Sequence, residues 1–269
     1  MNRIRLYRSE AIVLRRHEVG EADRILTLYT PDRGKLAAIA KGVRRISSRK
    51  SGHVELFTHV AVLLAAGRNL DVLTQAETIE PFRGIRDDLI RTTYAYHVAE
   101  LTDRLTVDAS PLPAAFWLLR DTLAALSTAD DPSLAARYFE VRLLGLLGFR
   151  PQLFTCVACG KTVDPDGNAF SPDLGGVVCP ACAPGHREAV PLGERAFRVL
   201  RFLQTREWAM VQRVALEPAT RGALERLMQA YVRHILERDL HSVSFLRGLR
   251  RVGGTFETPS SVRVGGSAD

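Results

Sequence analysis

All four cysteines of the chain fall in one stretch, as Cys156-Val-Ala-Cys159 and Cys179-Pro-Ala-Cys182. A two-residue gap lets both sulfurs of a knuckle turn toward one ion. A second knuckle nineteen residues on completes a tetrahedron of thiolates, the coordination of structural zinc. Gly160 supplies the turn that bends backbone amides toward the sulfurs, and Asp164-Pro165-Asp166-Gly167 reads as the tip of the intervening hairpin. Two readings compete: a pair of disulfides, disfavoured in a cytoplasmic setting, and a thioredoxin-like redox pair, which needs only one such motif in a βαβ unit. Four thiolates fill the coordination sphere and leave no position for an activated water. The expectation is therefore one structural Zn2+ held by Cys156, Cys159, Cys179 and Cys182, with no catalytic role.

The second group of chemically committed residues is AKGVRRISSRKSG, residues 40–52, where Lys41, Arg44, Arg45, Arg49 and Lys50 stand without an acidic neighbour. Residues 33–50 hold seven Lys or Arg and no Asp or Glu, and residues 195–251 hold twelve against five, whereas residues 51–194 hold eleven against eighteen. A net charge of +7 is thus concentrated in two basic zones separated by an acidic middle, a distribution suited to two anionic partners. No stretch approaches the roughly 18 uncharged apolar residues of a membrane span, and the start lacks the apolar run of a signal peptide, so a cytoplasmic location is expected.

The chain carries no phosphate-cradling GxxxxGK[ST], dinucleotide GxGxxG, HExxH, GxSxG or EF-hand loop. His17 and His53 border basic segments, while His97 and His234 lie in helical patterns and read as surface or packing residues. A nuclease or nucleotidyl transferase would need converging carboxylates for Mg2+, but the acidic residues of the middle segment lie at helix-surface spacing. A binding protein and not an enzyme is expected.

The elements that must position these groups change character near Pro81. Before it come five short apolar runs, AIVLRRHE, ILTLYT, KLAAIAKGV, LFTHVAVLLAA and LDVLTQAETI, separated by Gly20, by Pro31-Asp32-Arg33-Gly34, by the basic loop and by Gly67-Arg68-Asn69. Five strands in about 70 residues suit an OB-type barrel, although an SH3-like barrel reads much the same. After Pro81, apolar residues recur three or four apart, as with Leu89, Tyr96 and Leu101, or Tyr138, Val141, Leu144 and Leu147, which predicts amphipathic helices. Asp131-Pro132 starts one and Gly148 to Pro151 ends it. Helical signal returns at Phe197, Leu200 and Leu203, again at Leu224, Leu227, Tyr231 and Ile235, and last at Phe245, Leu246 and Leu249. The expected fold class is α+β: an OB-type barrel over 1–80, then a helical domain over 81–252 with a zinc-binding insertion at about 152–186, and a disordered glycine-rich tail over 253–269.

The succession EAIVL, GEADRILTLYT, DRGKL, AKGVRR with SSRKSG, and ELF resembles the N-terminal barrel of the RecO recombination-mediator family. LLGLLGFRPQLFTCVACG, FSPDLGGVVCPAC and YVRHILERDLHSVSFLRGL resemble that family's zinc insertion and closing helices, so the likeness runs from about residue 8 to 251. The resemblance implies a DNA-repair protein that binds single- and double-stranded DNA and anneals complementary strands. With the partner RecR it would help load RecA on strands coated by single-strand-binding protein. An OB-type barrel holds a strand along one face with cations on phosphates and aromatic rings as stacking platforms. Arg24, Lys35, Lys41, Arg44, Arg45, Arg49 and Lys50 are the candidate phosphate track, with a salt bridge from Arg24 to Glu21 or Asp23 as its alternative. Of the local rings Tyr7, Tyr29 and Phe57, the last two read as core. Arg198, Arg201 and Arg206 recur on a helix beside Phe197, Leu200 and Leu203, a candidate cationic rim for the acidic, hydrophobic-ended tail of single-strand-binding protein. An RNA-binding or ribosome-associated protein is the alternative, since a basic barrel with a zinc ribbon suits RNA equally well.

Overall fold

Strands β1 (Leu6–Val19), β2 (Asp23–Thr30), β3 (Gly34–Ala40), β4 (His59–Ala65) and β5 (Asp71–Glu80) close a barrel in the order β1-β2-β3-β5-β4. The computed structural model describes residues 5–236; the expected last helix at Phe245, Leu246 and Leu249 and the glycine-rich tail lie outside the described residues. Closure depends on a short parallel pairing of β3 with β5, Ala38 opposite Asp71 and Ile39 opposite Val72, every other pair being antiparallel. That order is the five-stranded Greek key of an OB barrel and decides against an up-and-down arrangement. Alternating residues fill the interior: Ala11 and Val13 of β1, Leu26 and Leu28 of β2, Ala38 and Ala40 of β3, Val60, Val62 and Leu64 of β4.

The outward side chains of the same strands do not all meet water. Ile12 and Leu14 are as buried as Ala11 and Val13, because they join Tyr29 and Phe57 in a second core shared with the helices. Helices α1 (Arg83–Arg86), α2 (Leu89–Leu105), α3 (Pro113–Thr128) and α4 (Pro132–Leu146) follow the barrel directly. Asp88 caps α2 by accepting from the Arg91 N–H at 2.9 Å, and Asp131 caps α4 from the Ser133 and Leu134 N–H groups, with Pro132 in the first turn. Gly148, at φ +88°, ends α4 in a Schellman turn in which the Phe149 N–H donates to the Leu144 carbonyl at 2.8 Å.

The buried stripe of α2 differs from the expected one. Tyr94, Val98 and Leu101 face the core, while Leu89 and Tyr96 are about half exposed, Tyr96 meeting the Phe57 ring edge-on at 4.9 Å. Helix α4 is surrounded and packs against α2 and α3. It therefore carries inward two groups that an i, i+3 spacing would assign to the surface: Arg137 and Glu140 are both almost wholly buried and paired at 2.8 Å, with His97 of α2 against Glu140 at 2.5 Å.

After α4 come β6 (Ala169–Ser171), β7 (Gly176–Val178) and β8 (Val190–Pro191), a small sheet in the order β7-β6-β8, then α5 (Glu194–Thr205), α6 (Trp208–Val211) and α7 (Pro218–Leu236). The expected fold class is what the structure shows: a five-stranded barrel, then a helical domain with the cysteine ribbon inserted between α4 and α5. Breaking a buried ion pair leaves its partners charged in a low-dielectric interior. Glu140→Ala is accordingly expected to lower unfolding free energy by roughly 3–5 kcal/mol, read as a shift of the urea midpoint at unchanged slope.

Candidate nucleic-acid interface and metal centre

The four sulfurs lie within 4.8 Å of one another, Cys159 to Cys179 at 3.9 Å. Four thiolates at about 2.3 Å from one ion stand about 3.8 Å apart, so the donors already have the spacing and chemistry of a tetrahedral site. Gly160, at φ +74°, lets its N–H reach the Cys156 carbonyl at 2.8 Å and closes the first knuckle. In the second, the Cys182 and Ala183 N–H groups both donate to the Cys179 carbonyl. Burial alone would raise the Cys156 thiol, but N–H groups of Cys179, Cys159 and Ala158 converge on its sulfur and bring its pKa down to about 6. Such a sulfur is a ready thiolate ligand.

The hairpin tip falls elsewhere than expected. Pro172-Asp173-Leu174-Gly175 joins β6 to β7, with Gly175 at φ +65°, whereas Asp164 to Gly167 forms an earlier turn, before β6 begins. The ribbon is fused to the helices: Phe170 of β6 meets Tyr231 of α7 edge-on at 5.2 Å, and the Tyr231 hydroxyl donates to the Phe149 carbonyl at 3.0 Å.

On the barrel, the loop between β3 and β4 is seated before it presents its charges. Val43 and Val54 enter the barrel core at its two ends. Against the β1–β2 turn, the Gly42 N–H donates to Asp23 Oδ1 at 2.7 Å and the Arg44 N–H to the Ala22 carbonyl at 2.9 Å. Against β5, Lys50 Nζ donates to the Leu73 carbonyl at 3.1 Å, and His53 Nδ1 lies 2.9 Å from the Thr78 hydroxyl. An open groove of about 960 Å³ runs along the outer face of β1, β4 and β5 beside the loop, lined in part by Arg8, Arg49, Lys50, His53 and Thr74.

The expected phosphate track divides into groups with different surroundings. Lys41, Arg45 and Arg49 are exposed and join no ion pair among the described residues. Arg44 is partly exposed and lies 3.4 Å from Glu18, a solvent-facing pair of small worth. Arg24 pairs with Glu18 and Glu55, not with Glu21 or Asp23, and only 14% of its side chain is exposed. Lys35 departs from the track altogether. Its ammonium reaches Asp103 at 3.3 Å and Asp108 at 3.1 Å, so it ties β3 to the end of α2 and the segment after it. Tyr29 and Phe57 are buried, as their patterns predict, and Tyr7 stacks under Arg33 at 3.8 Å.

The second basic zone does not form the expected groove. Phe197, Leu200 and Leu203 are fully buried, because that face of α5 packs on α4 and α7. Arg201 lies between the Phe197 and Phe154 rings, at 4.1 and 4.8 Å, and donates to the Leu153 and Val163 carbonyls. Burial lowers its pKa, with Asp164 partly opposing, and its work is to join α5 to the ribbon. Arg198 pairs with Glu194 one turn earlier at 2.5 Å, and Arg206 is exposed beyond the end of α5. An open groove of mixed charge does exist nearby, lined in part by Leu118, Val141, Leu146, Arg142, Arg150 and Glu207, with Arg142 paired to Glu207 at 3.5 Å. Sequence reasoning missed it because its cations come from α4 and the turn after it, within the acidic middle of the chain.

Fold and site together define a class: an oligonucleotide-binding type of barrel with a basic loop, joined to a helical body that carries a four-cysteine ribbon able to hold a metal ion. Residues 1–82 match the family model described as "Recombination protein O N terminal", and residues 86–244 match "Recombination protein O C terminal". The chain is 44% identical over 266 residues to a protein of Roseiflexus sp. (strain RS-1) named "DNA repair protein RecO", covering 99% of this chain and 93% of that one. It is 38% identical over 248 residues to a protein of the same name from Symbiobacterium thermophilum, covering 91% and 98% of the two chains. With one from Dehalococcoides mccartyi (strain ATCC BAA-2266 / KCTC 15142 / 195) it shares 36% identity over 245 residues, 91% and 96% of the two. The chain belongs to the RecO family, whose role is in DNA repair and recombination. No helix among the described residues is long and apolar enough to cross a membrane.

If one ion holds all four sulfurs, a thiol-reactive dye should label the folded chain slowly, and four cysteines per chain should react promptly once a strong chelator is added. Four fast thiols before chelation would mean that no ion is held.

Proposed function

We propose that this chain is a non-enzymatic mediator of recombinational DNA repair. Its barrel holds single- and double-stranded DNA by the phosphates and brings complementary strands together. With RecR it helps load RecA onto strands coated by single-strand-binding protein, in the cytoplasm and at the nucleoid. The observation that carries the DNA-binding part is the loop between β3 and β4, where Lys41, Arg45 and Arg49 stand exposed and uncompensated. Arg44 can exchange its weak pair with Glu18 for a phosphate. Cations of this kind release counterions from the nucleic acid and respond to charge and not to base identity. A strand-annealing protein needs that indifference, because the bases must be left to choose their own partners.

The ion assigned to the cysteines is one structural Zn2+. Its contribution is to fold: it closes an insertion whose sheet has only three short strands, and with all four positions taken by sulfur it activates no water. The groove lined by Arg142 and Arg150, and not the covered face of α5, is the place for an acidic, apolar-ended tail of the kind single-strand-binding proteins present. Its apolar wall of Leu118, Val141 and Leu146 takes the tail's hydrophobic end, and Arg150 and Arg142 take its carboxylates, Arg142 by giving up its 3.5 Å pair with the exposed Glu207.

Changing Lys41, Arg45 and Arg49 together to Ala should reduce the slope of log affinity against log salt by about 2 on single strands and about 2.7 on duplex, and slow annealing in parallel. Lys35→Ala should leave that slope unchanged while lowering stability, since its ammonium serves Asp103 and Asp108. A triple variant with the wild-type slope would remove the loop from the interface.

A further inference from the structure

At the tip of the basic loop stands a residue that phosphate binding does not explain. Ile46 is fully exposed, with no part of its side chain against the barrel. It lies between Arg44 and Arg45 on one side and Arg49 and Lys50 on the other. Single exposed aliphatics are ordinary on protein surfaces. This one is held out by design of the backbone around it. The Ser48 N–H donates to the Arg45 carbonyl at 2.9 Å, so Ile46 and Ser47 are the two central residues of a β-turn. The Arg45 N–H donates to the Gly42 carbonyl at 3.2 Å, and the Ser51 N–H to the Ser48 carbonyl at 3.4 Å, which adds a turn on either side. Below these, Val43 and Val54 are buried and the hydrogen bonds to Asp23, Ala22 and Leu73 fix the loop to the barrel on two sides. The projecting side chain is thus aliphatic and branched, rests on a braced support, and is flanked in sequence by cations.

We infer that Ile46 is an apolar wedge that inserts between neighbouring bases of a DNA strand whose phosphates are held by Arg45, Arg49 and Lys41. The inference rests on the DNA-binding reading above and adds to it the part of the loop that meets bases. Aliphatic wedges between base steps unstack them at a cost of a few kcal/mol per step, which the surrounding phosphate contacts must offset. Here the offsetting cations sit on the same loop as the wedge. Insertion also removes the Ile46 side chain from water, a favourable change that a polar residue at the turn would forgo. A strand interrupted at one stack is open at that point to pairing by a complement. The wedge thus supplies what a purely electrostatic grip lacks: a means of loosening stacked or weakly paired strands before they meet the right partner.

The test uses the full-length protein and a single-stranded oligonucleotide carrying 2-aminopurine at its centre, whose fluorescence rises when its stacking is lost. The wild-type protein is expected to raise the signal several-fold at saturation. Ile46→Ser should bring it back to nearly that of free DNA, and Ile46→Met should retain most of it. Affinity of Ile46→Ser should fall by about three- to tenfold with the salt slope unchanged, because no phosphate contact is removed. Its melting temperature should match the wild type, since the side chain touches nothing in the folded chain. Equal fluorescence from wild type and Ile46→Ser overturns the wedge, as does binding by the wild type with no rise at all; in both cases the phosphate track would stand. Absence of salt-dependent binding by the wild type would instead overturn the track, and the wedge with it.

Discussion

One strand serves two interiors. Residues 11–14 of β1 are buried without interruption: Ala11 and Val13 fill the barrel, and Ile12 and Leu14 fill the space between barrel and helices. Neither core can be completed without that strand, so the barrel is not an appendage on a tether. The same junction is reinforced by Lys35 with Asp103 and Asp108, and by Gly34, whose hydrogen lies so close to the Ser110 backbone that a Cβ there would stand 2.2 Å from its carbonyl oxygen. The basic loop inherits this rigidity, because it springs directly from the end of β3.

Charge in this chain is sorted by where the side chain begins and not by its type. Lys35, Arg24 and Arg201 carry the same groups as Lys41, Arg45 and Arg49, but they arise where carboxylates, carbonyls or rings lie within reach and are consumed by the fold. Cations at the loop tip stand beyond such neighbours. What remains for an anionic partner is therefore smaller than the count of basic residues and far more localised. Buried Arg137 and Glu140 are the extreme of the same sorting, since their opposite charges neutralise one another deep in the helical body, with His97 against the Glu140 carboxylate.

Much of this was legible from local signals. Short apolar runs between turn-forming segments marked all five barrel strands, and two CxxC knuckles marked the candidate metal ligands, because both patterns are set by neighbours in sequence. The parallel β3–β5 contact that closes the barrel joins residues 33 positions apart and leaves no local trace. By residue type the ribbon's hairpin tip falls at Asp164-Pro165-Asp166-Gly167, whereas Pro172 to Gly175 joins the paired strands. Turn chemistry says where a chain reverses but not which reversal is flanked by paired strands. Tyr96 reads as part of the buried stripe of α2, but Tyr94 is the buried ring, because packing against α4 decides which side of α2 is covered. Lys35, finally, read as a free cation because its acidic partners lie 68 and 73 residues along the chain.

The fusion of ribbon and helices carries a consequence beyond the ribbon. Cys156 belongs to the same apolar cluster as Phe170, Phe197, Leu227 and Tyr231, so a sulfur of the candidate metal site is also a packing atom of the main helical body. A metal that binds only the native arrangement shifts the folding equilibrium by mass action. Under the zinc assignment proposed above, the population of intact molecules follows the supply of free ion, and a shortage of that ion registers as fewer surviving copies of the whole chain.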